Sequence, residues 1–162
     1  MHNPNKIKIR LTEKGKSIFA ICQIERHEII VRFERNFTNQ PSNKTLRIAE
    51  NTHQLSRESH SMENFINHSC EPNGYINFKD MTLRALRRIN EGEEITYNYL
   101  TADWDDEDVF DCKCGSARCL KKVHGFKNLS FVEKQKLKRF LSPFLKKKLR
   151  EIESAAPIES RN

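Results

Sequence analysis

No run of about eighteen apolar residues occurs anywhere in the chain, which excludes a helical membrane span. The opening residues, MHNPNKIKIRLTEKGK, have neither the apolar stretch nor the small-residue cleavage site of a secretory signal. The expected setting is therefore a reducing intracellular compartment, cytoplasm or nucleus, with no membrane among the partners. Cysteine is scarce too: there are five, an odd number, and in such a compartment they argue against a disulfide framework and for metal binding or catalysis. No internal repeat is visible, and no convincing amphipathic helix precedes Lys121. Apolar residues make up 36% of the 162 positions, lean but enough for one modest core.

What is present divides into an almost neutral front and a basic tail. Residues 121–150 hold eleven Lys or Arg against one Glu, so the net charge of +7 says little about the front part. There, short apolar or β-branched stretches at 7–10, 17–20, 29–34, 74–78 and 82–85 read as strands between charged turns. RNFTNQPSNKT reads as a polar loop, and 46–61 as strand and loop. Around 92–99, Gly92 makes a turn and Ile95, Tyr97 and Tyr99 alternate onto one face of a further strand. Past Gly125, Ser130 with Glu133 fits a capping box, and Ser142-Pro143 fits a second helix start. Helices over 131–141 and 143–153 are expected. Phe131, Leu137, Phe140, Leu141, Phe144, Leu145, Leu149 and Ile152 would cover their apolar face while the lysines stay solvated, and 154–162 would be a flexible tail. The basic tail has no aromatic interleaving or nucleic-acid motif. Helix docking is its expected role, with nucleic acid or a second copy of the chain as other possible partners.

Cys112, Cys114 and Cys119 form CxCx4C, too tight for an unstrained disulfide between the first two but suited to hold three sulfurs around one zinc ion. Tetrahedral structural zinc needs a fourth ligand. Cys70, His68, His124 and Cys22 are the candidates, and Cys70 is preferred because its polar turn can approach another loop. Lys113, Arg118, Lys121 and Lys122 would offset the charge of a four-thiolate site. The plainer alternative is three free thiols on a surface loop.

FINHSCEPN (65–73), GEEITYNY (92–99) and CKCGSARC (112–119), in that order, resemble the SET-domain protein lysine methyltransferases with a post-SET zinc module. The resemblance covers about residues 6–122. It implies a mainly β fold of several small sheets with a knot-like threaded NHSC segment. The SET domain would span 6–110, the post-SET zinc loop 111–124 and a basic helical extension 125–153. It further implies that S-adenosylmethionine is held by Gly15, Lys16 and Ser17 in KGKS, by Asn67 and His68 at its adenine end, and by Tyr99 and Trp104. The family has a second glycine where this chain has Ser17. Tyr99 is the implied catalytic tyrosine, and Tyr97 the position that favours stopping at mono- or dimethyl-lysine.

Methyl transfer to an amine requires the amine neutral, although free lysine titrates near 10.4. A buried channel and a neighbouring sulfonium both oppose the ammonium form, so no dedicated base is demanded. Asp103, Asp105, Asp106, Glu107, Asp108 and Asp111 form an acidic stretch expected to attract a basic protein substrate. The competing expectations are a catalytically weak SET-like module that binds a basic peptide or nucleic acid, and a zinc-stabilised interaction domain.

Overall fold

The computed structural model describes residues 6–42, 45–56, 61–105 and 109–155. Strands β1 (Ile7–Thr12) and β2 (Gly15–Ala20) form an antiparallel hairpin closed by Glu13 and Lys14. Gly15 has φ +94°, a conformation that carries no penalty for a residue without Cβ. The Thr12 hydroxyl donates to the Gly15 carbonyl at 2.9 Å and so pins the turn. Strands β3 (Ile29–Arg32), β8 (Gly74–Asn77) and β9 (Thr82–Ala85) make a three-stranded sheet in the order β3-β9-β8.

The segment read as loop and mixed structure is itself a small antiparallel sheet, β4 (Phe37–Thr38), β6 (Thr52–Leu55) and β5 (Thr45–Ala49) in that order. Its strands are too short and polar to show a clear period. Part of the expected mixed segment, 57–60, lies outside the described residues.

Two-residue strands β7 (Asn67–His68) and β10 (Thr96–Tyr97) pair in parallel. The start of the polar NHSC stretch is thus a strand. The Ser69 amide donates to the Tyr97 carbonyl at 3.0 Å and extends the contact. Asn73 locks it from the other end, donating to the Glu94 carbonyl at 2.8 Å and accepting from the Thr96 amide at 3.0 Å. Gly74 is required beside this pair: a Cβ there would lie 3.0 Å from the Thr96 carbonyl oxygen and 3.3 Å from Leu83 Cδ1.

The expected alternation over 95–99 fails for a physical reason. Ile95, Thr96 and Tyr97 are all buried, because β10 is covered on both faces, and the strand ends before Tyr99, which starts a 3-10 turn (Tyr99–Thr101) capped by the Asn98 side chain.

One core is built from the first sheets, with Ile18, Ala20, Val31, Leu83, Ile89 and Ile95 fully enclosed. A second lies under the C-terminal helices α1 (Phe131–Leu137) and α2 (Pro143–Ala155), where Phe126, Leu141, Phe144, Leu145 and Leu149 pack together. The Ser130–Glu133 capping box is present. The first helix gives way to a 3-10 turn after Leu137 instead of running to 141, and the second continues to Ala155. Residues 156–162 of the expected tail lie outside the described set.

Two side chains exchange their expected places. Phe131 is exposed, whereas Lys134 is buried with its Nζ donating to the carbonyls of Lys127, at 2.9 Å, and of Leu129. Carbonyls left over by the 3-10 turn Phe126–Asn128 and the residue after it supply acceptors that let a lysine go inside. Among the described residues no helix is long and apolar enough to cross a membrane.

Candidate active site and metal centre

The parallel β7–β10 pair brings Asn67 under the β1–β2 hairpin. Its Nδ2 donates to Ser17 Oγ at 2.7 Å and to Glu94 Oε1 at 2.8 Å. Ser17 is fully buried, and its hydroxyl also contacts Thr12 Oγ1 at 3.2 Å. Ser17, where the resemblance implies a glycine, is therefore an anchor for Asn67. Lys14 Nζ completes the group at 2.9 Å from Glu94 Oε2. Burial alone would raise the Glu94 carboxyl, but the hydrogen bond from Asn67 and the charge of Lys14 outweigh it and hold the group below the ordinary carboxylate range.

His68 is buried, which pushes its pKa down to about 4 and keeps the ring neutral. Its Nδ1 accepts from the Tyr99 amide at 3.1 Å, so the ring hydrogen sits on Nε2, 3.3 Å from Cys70 Sγ. One imidazole thus ties the tyrosine turn to the cysteine cluster. Tyr99 donates its hydroxyl to the Ile66 carbonyl at 2.9 Å, and its ring meets Tyr97, His68 and Phe110 with centroids 4.9, 5.3 and 6.1 Å apart. Burial raises the Tyr97 hydroxyl well above its ordinary pKa, helped by the neighbouring Tyr99 and Asp103.

The sulfurs of Cys70, Cys112, Cys114 and Cys119 all lie within 4.8 Å of one another. The Cys70–Cys112 separation is 3.9 Å, against about 3.8 Å for the edge of a tetrahedron with Zn–S bonds of about 2.3 Å. The Leu120 amide points at Cys70 Sγ and the Lys121 amide at Cys119 Sγ, each at 3.4 Å, as suits thiolate acceptors. Lys121 reaches this position with φ +64°. The three cysteines grouped by spacing and Cys70, preferred as the fourth ligand, are brought together, and they fit zinc. His124 and Cys22 are not part of the cluster. Strands β11 (Phe110–Asp111) and β12 (Lys122–Val123) close the loop that carries three of them.

Two cavities meet at Tyr99. The larger, about 500 Å³, is within the size range of small-molecule sites; Lys14, Asn67, His68, Phe110 and Cys112 are among its walls. Its charged lining carries both signs, Lys14 and Lys113 with Glu13 and Asp111. The smaller, about 80 Å³, lies between Tyr97, Leu46, Gln54 and Ile66. Among the described residues Tyr99 alone lines both.

Of the residues singled out in the sequence, Asn67, His68 and Tyr99 line the large cavity and Tyr97 and Tyr99 the small one. Gly15 shapes the adjoining turn, while Lys16 turns away to place its Nζ 5.1 Å from the centre of the Phe65 ring. Trp104 stands outside both linings, against Phe126, Phe144 and the Lys148 ammonium. Glu13, Lys14, Glu94 and Phe110 were not singled out. Lys14 and Glu94 stood inside quoted motifs, but Phe110 carries no pattern of its own and is placed by its pairing with Val123 and its ring contacts with His68 and Tyr99. Of the acidic stretch, Asp103 lines the small cavity, Asp111 the large one, and Asp105 lies 4.0 Å from Arg47 and 3.7 Å from Lys127; Asp106, Glu107 and Asp108 lie outside the described residues.

A mainly β assembly of small sheets, a parallel strand pair beneath a tyrosine turn and a four-cysteine clasp define a SET fold. The chain belongs to the SET domain family, whose model matches residues 15–100. Among its relatives is the histone-lysine N-methyltransferase trithorax of Drosophila virilis, 49% identical over 66 residues, a match covering 37% of this chain and 2% of that protein. The H3 lysine-36 specific enzyme of Candida albicans is 30% identical over 143 residues, covering 75% and 17%. The chain therefore spans a small fraction of these relatives' length. Among solved structures, the methyltransferase domain of human SETMAR aligns with a TM-score of 0.60 at 17% identity, over 74% of this chain and 58% of that one. KRYPTONITE, solved with mCHG DNA and SAH, aligns at 0.61 and 20% identity, over 72% and 28%.

Proposed function

We propose that the protein transfers a methyl group from S-adenosylmethionine to the side-chain amine of lysine in a basic protein. The observation that carries the reading is Tyr99, standing at the meeting of a roomy cavity with mixed charge and a narrow acidic one. Displacement at a methyl carbon needs the incoming nitrogen and the leaving sulfur in line on opposite sides. Two cavities that have Tyr99 as a common wall suit that requirement.

When bound, S-adenosylmethionine supplies an activated methyl on a positively charged sulfur. Lys14 and Asp111 offer opposite charges for its amino-acid part, and Asn67 and His68 offer edges for its adenine end, while Gly15 keeps the adjoining turn open. Tyr99, its hydroxyl fixed by the Ile66 carbonyl, presents its oxygen to the region where the methyl carries partial positive charge. Tyr97 narrows the lysine side, which favours mono- or dimethylation. Zinc, held by Cys70, Cys112, Cys114 and Cys119, acts structurally by fixing Phe110 and the cavity wall. The names of the relatives make histones the first substrates to try and the nucleus the corresponding location.

The test is transfer of radiolabelled methyl from S-adenosylmethionine to core histones and to a mixed pool of basic proteins. The wild-type chain should incorporate label, and Tyr99→Phe should lower the rate at least tenfold while leaving about one zinc per chain. A folded, zinc-loaded wild-type chain that labels neither pool would contradict the reading.

A further inference from the structure

The two cavities differ in charge. Against the mixed lining of the large one, the small one carries Glu63 and Asp103 and, among the described residues, no Lys or Arg. Within that wall the Glu63 Oε1 is shut off from bulk water and has no hydrogen-bond partner among the described residues. A buried, unpaired carboxylate oxygen destabilises a fold, and each such group in a native structure needs an explanation. Nothing among the described residues offsets this one.

Its position supplies a reason. Glu63 lies in the first turn of the 3-10 segment Met62–Phe65, which runs directly into Ile66. The Ile66 carbonyl is the acceptor that fixes the Tyr99 hydroxyl. The unpaired acid and the tyrosine thus line the same small cavity and are linked through the Ile66 carbonyl, three residues after Glu63.

We infer that Glu63 is a specificity-determining residue, the group that receives the ammonium of the incoming lysine side chain in the small cavity. The inference rests on the reading of that cavity as the lysine channel. A cation carrying N–H groups satisfies Oε1 by a charge-assisted hydrogen bond, the strong kind, whereas a neutral donor gains less and a side chain of the same length without a donor gains nothing there. Recognition of this sort acts on binding rather than on the chemical step. A carboxylate stabilises the ammonium form, which must lose its proton before the nitrogen can accept a methyl group. Removing the charge therefore weakens capture without slowing transfer at saturation.

The experiment compares the zinc-loaded full chain with its Glu63→Gln and Glu63→Ala variants, using labelled methyl transfer to core histones and to the mixed basic pool, with thermal unfolding in parallel. Glu63→Gln is expected to raise the KM for the protein substrate about tenfold, to hold kcat at or above the wild-type value, and to unfold at the same or a higher temperature. The last readout separates capture from support, because a structural carboxylate would lower the unfolding temperature on removal. Wild-type transfer with an unchanged KM in both variants, or a fall in unfolding temperature in both, would overturn the assignment of Glu63 and leave methyl transfer standing. Absence of transfer by the wild type to either pool would remove the reading and this inference together.

Discussion

Asn67 shows how one amide can organise a site. Its two donated hydrogen bonds join β7 to Ser17 on the hairpin and to Glu94 on the approach to β10. Asn67→Ala should lower stability by about 2–3 kcal/mol, since both acceptors lose their partner in a partly buried setting, and should weaken S-adenosylhomocysteine binding. Urea unfolding and calorimetric titration would measure both. The same group has a pH signature. Because the folded Glu94 carboxyl is held below its ordinary value, its contribution to stability is complete above the ordinary carboxylate range and is lost as pH falls through the folded value. Asn67→Ala removes one of the bonds that hold it down, so the variant should show a shallower loss of stability across that acid range than the wild type.

At the scale of elements, the loop between β11 and β12 joins the candidate metal cluster to the wall of the large cavity. Cys112 and Cys114 are both zinc-ligand candidates and walls of the large cavity, with Phe110 and Lys113 beside them. The hairpin bearing them has only two paired residues on each strand and cannot hold itself together in water. Chelation of the metal should therefore reduce S-adenosylhomocysteine affinity at least tenfold while the far-ultraviolet dichroism of the sheets persists, and added zinc should restore it. Loss of the whole β signal on chelation would show instead that the metal supports the complete fold. The cysteine spacing was legible in the sequence because ligand geometry is local. Phe110 and the polar sheet β4–β6–β5 were not, because their places depend on what closes over them.

Across the whole molecule, the C-terminal helix α2 braces the wall of the small cavity rather than the large one. Phe144 of α2 lies under the Arg47 guanidinium of β5, 4.2 Å from carbon to ring centre, and Lys148 reaches Glu50 at 3.6 Å. Strands β5 and β6 give Thr45, Leu46 and Gln54 to the small cavity, so the extension supports that wall from behind. Phe144→Ala should cost about 3–5 kcal/mol in urea unfolding and raise the KM for a protein substrate. Cofactor affinity should change little, because no residue of either helix lines the large cavity. Equal losses of cofactor and substrate binding would refute this division of labour. Burial of the apolar face of α2 also accounts for much of the basic tail: Lys146, Lys147 and Arg150 occupy its solvent side.

By itself the sequence determined the β-rich front, the capped helices after Gly125, the CxCx4C grouping and the motifs that carry Asn67, His68 and Tyr99, since each depends on spacing within a few residues or on local backbone preference. Only the tertiary structure decided that Ser17 anchors Asn67, that Lys134 goes inside while Phe131 stays out, that Trp104 belongs to the helix core, and that Glu63 lines a cavity with Tyr97 and Tyr99. These outcomes depend on which distant segments supply hydrogen-bond partners and exclude water, and no local pattern encodes that.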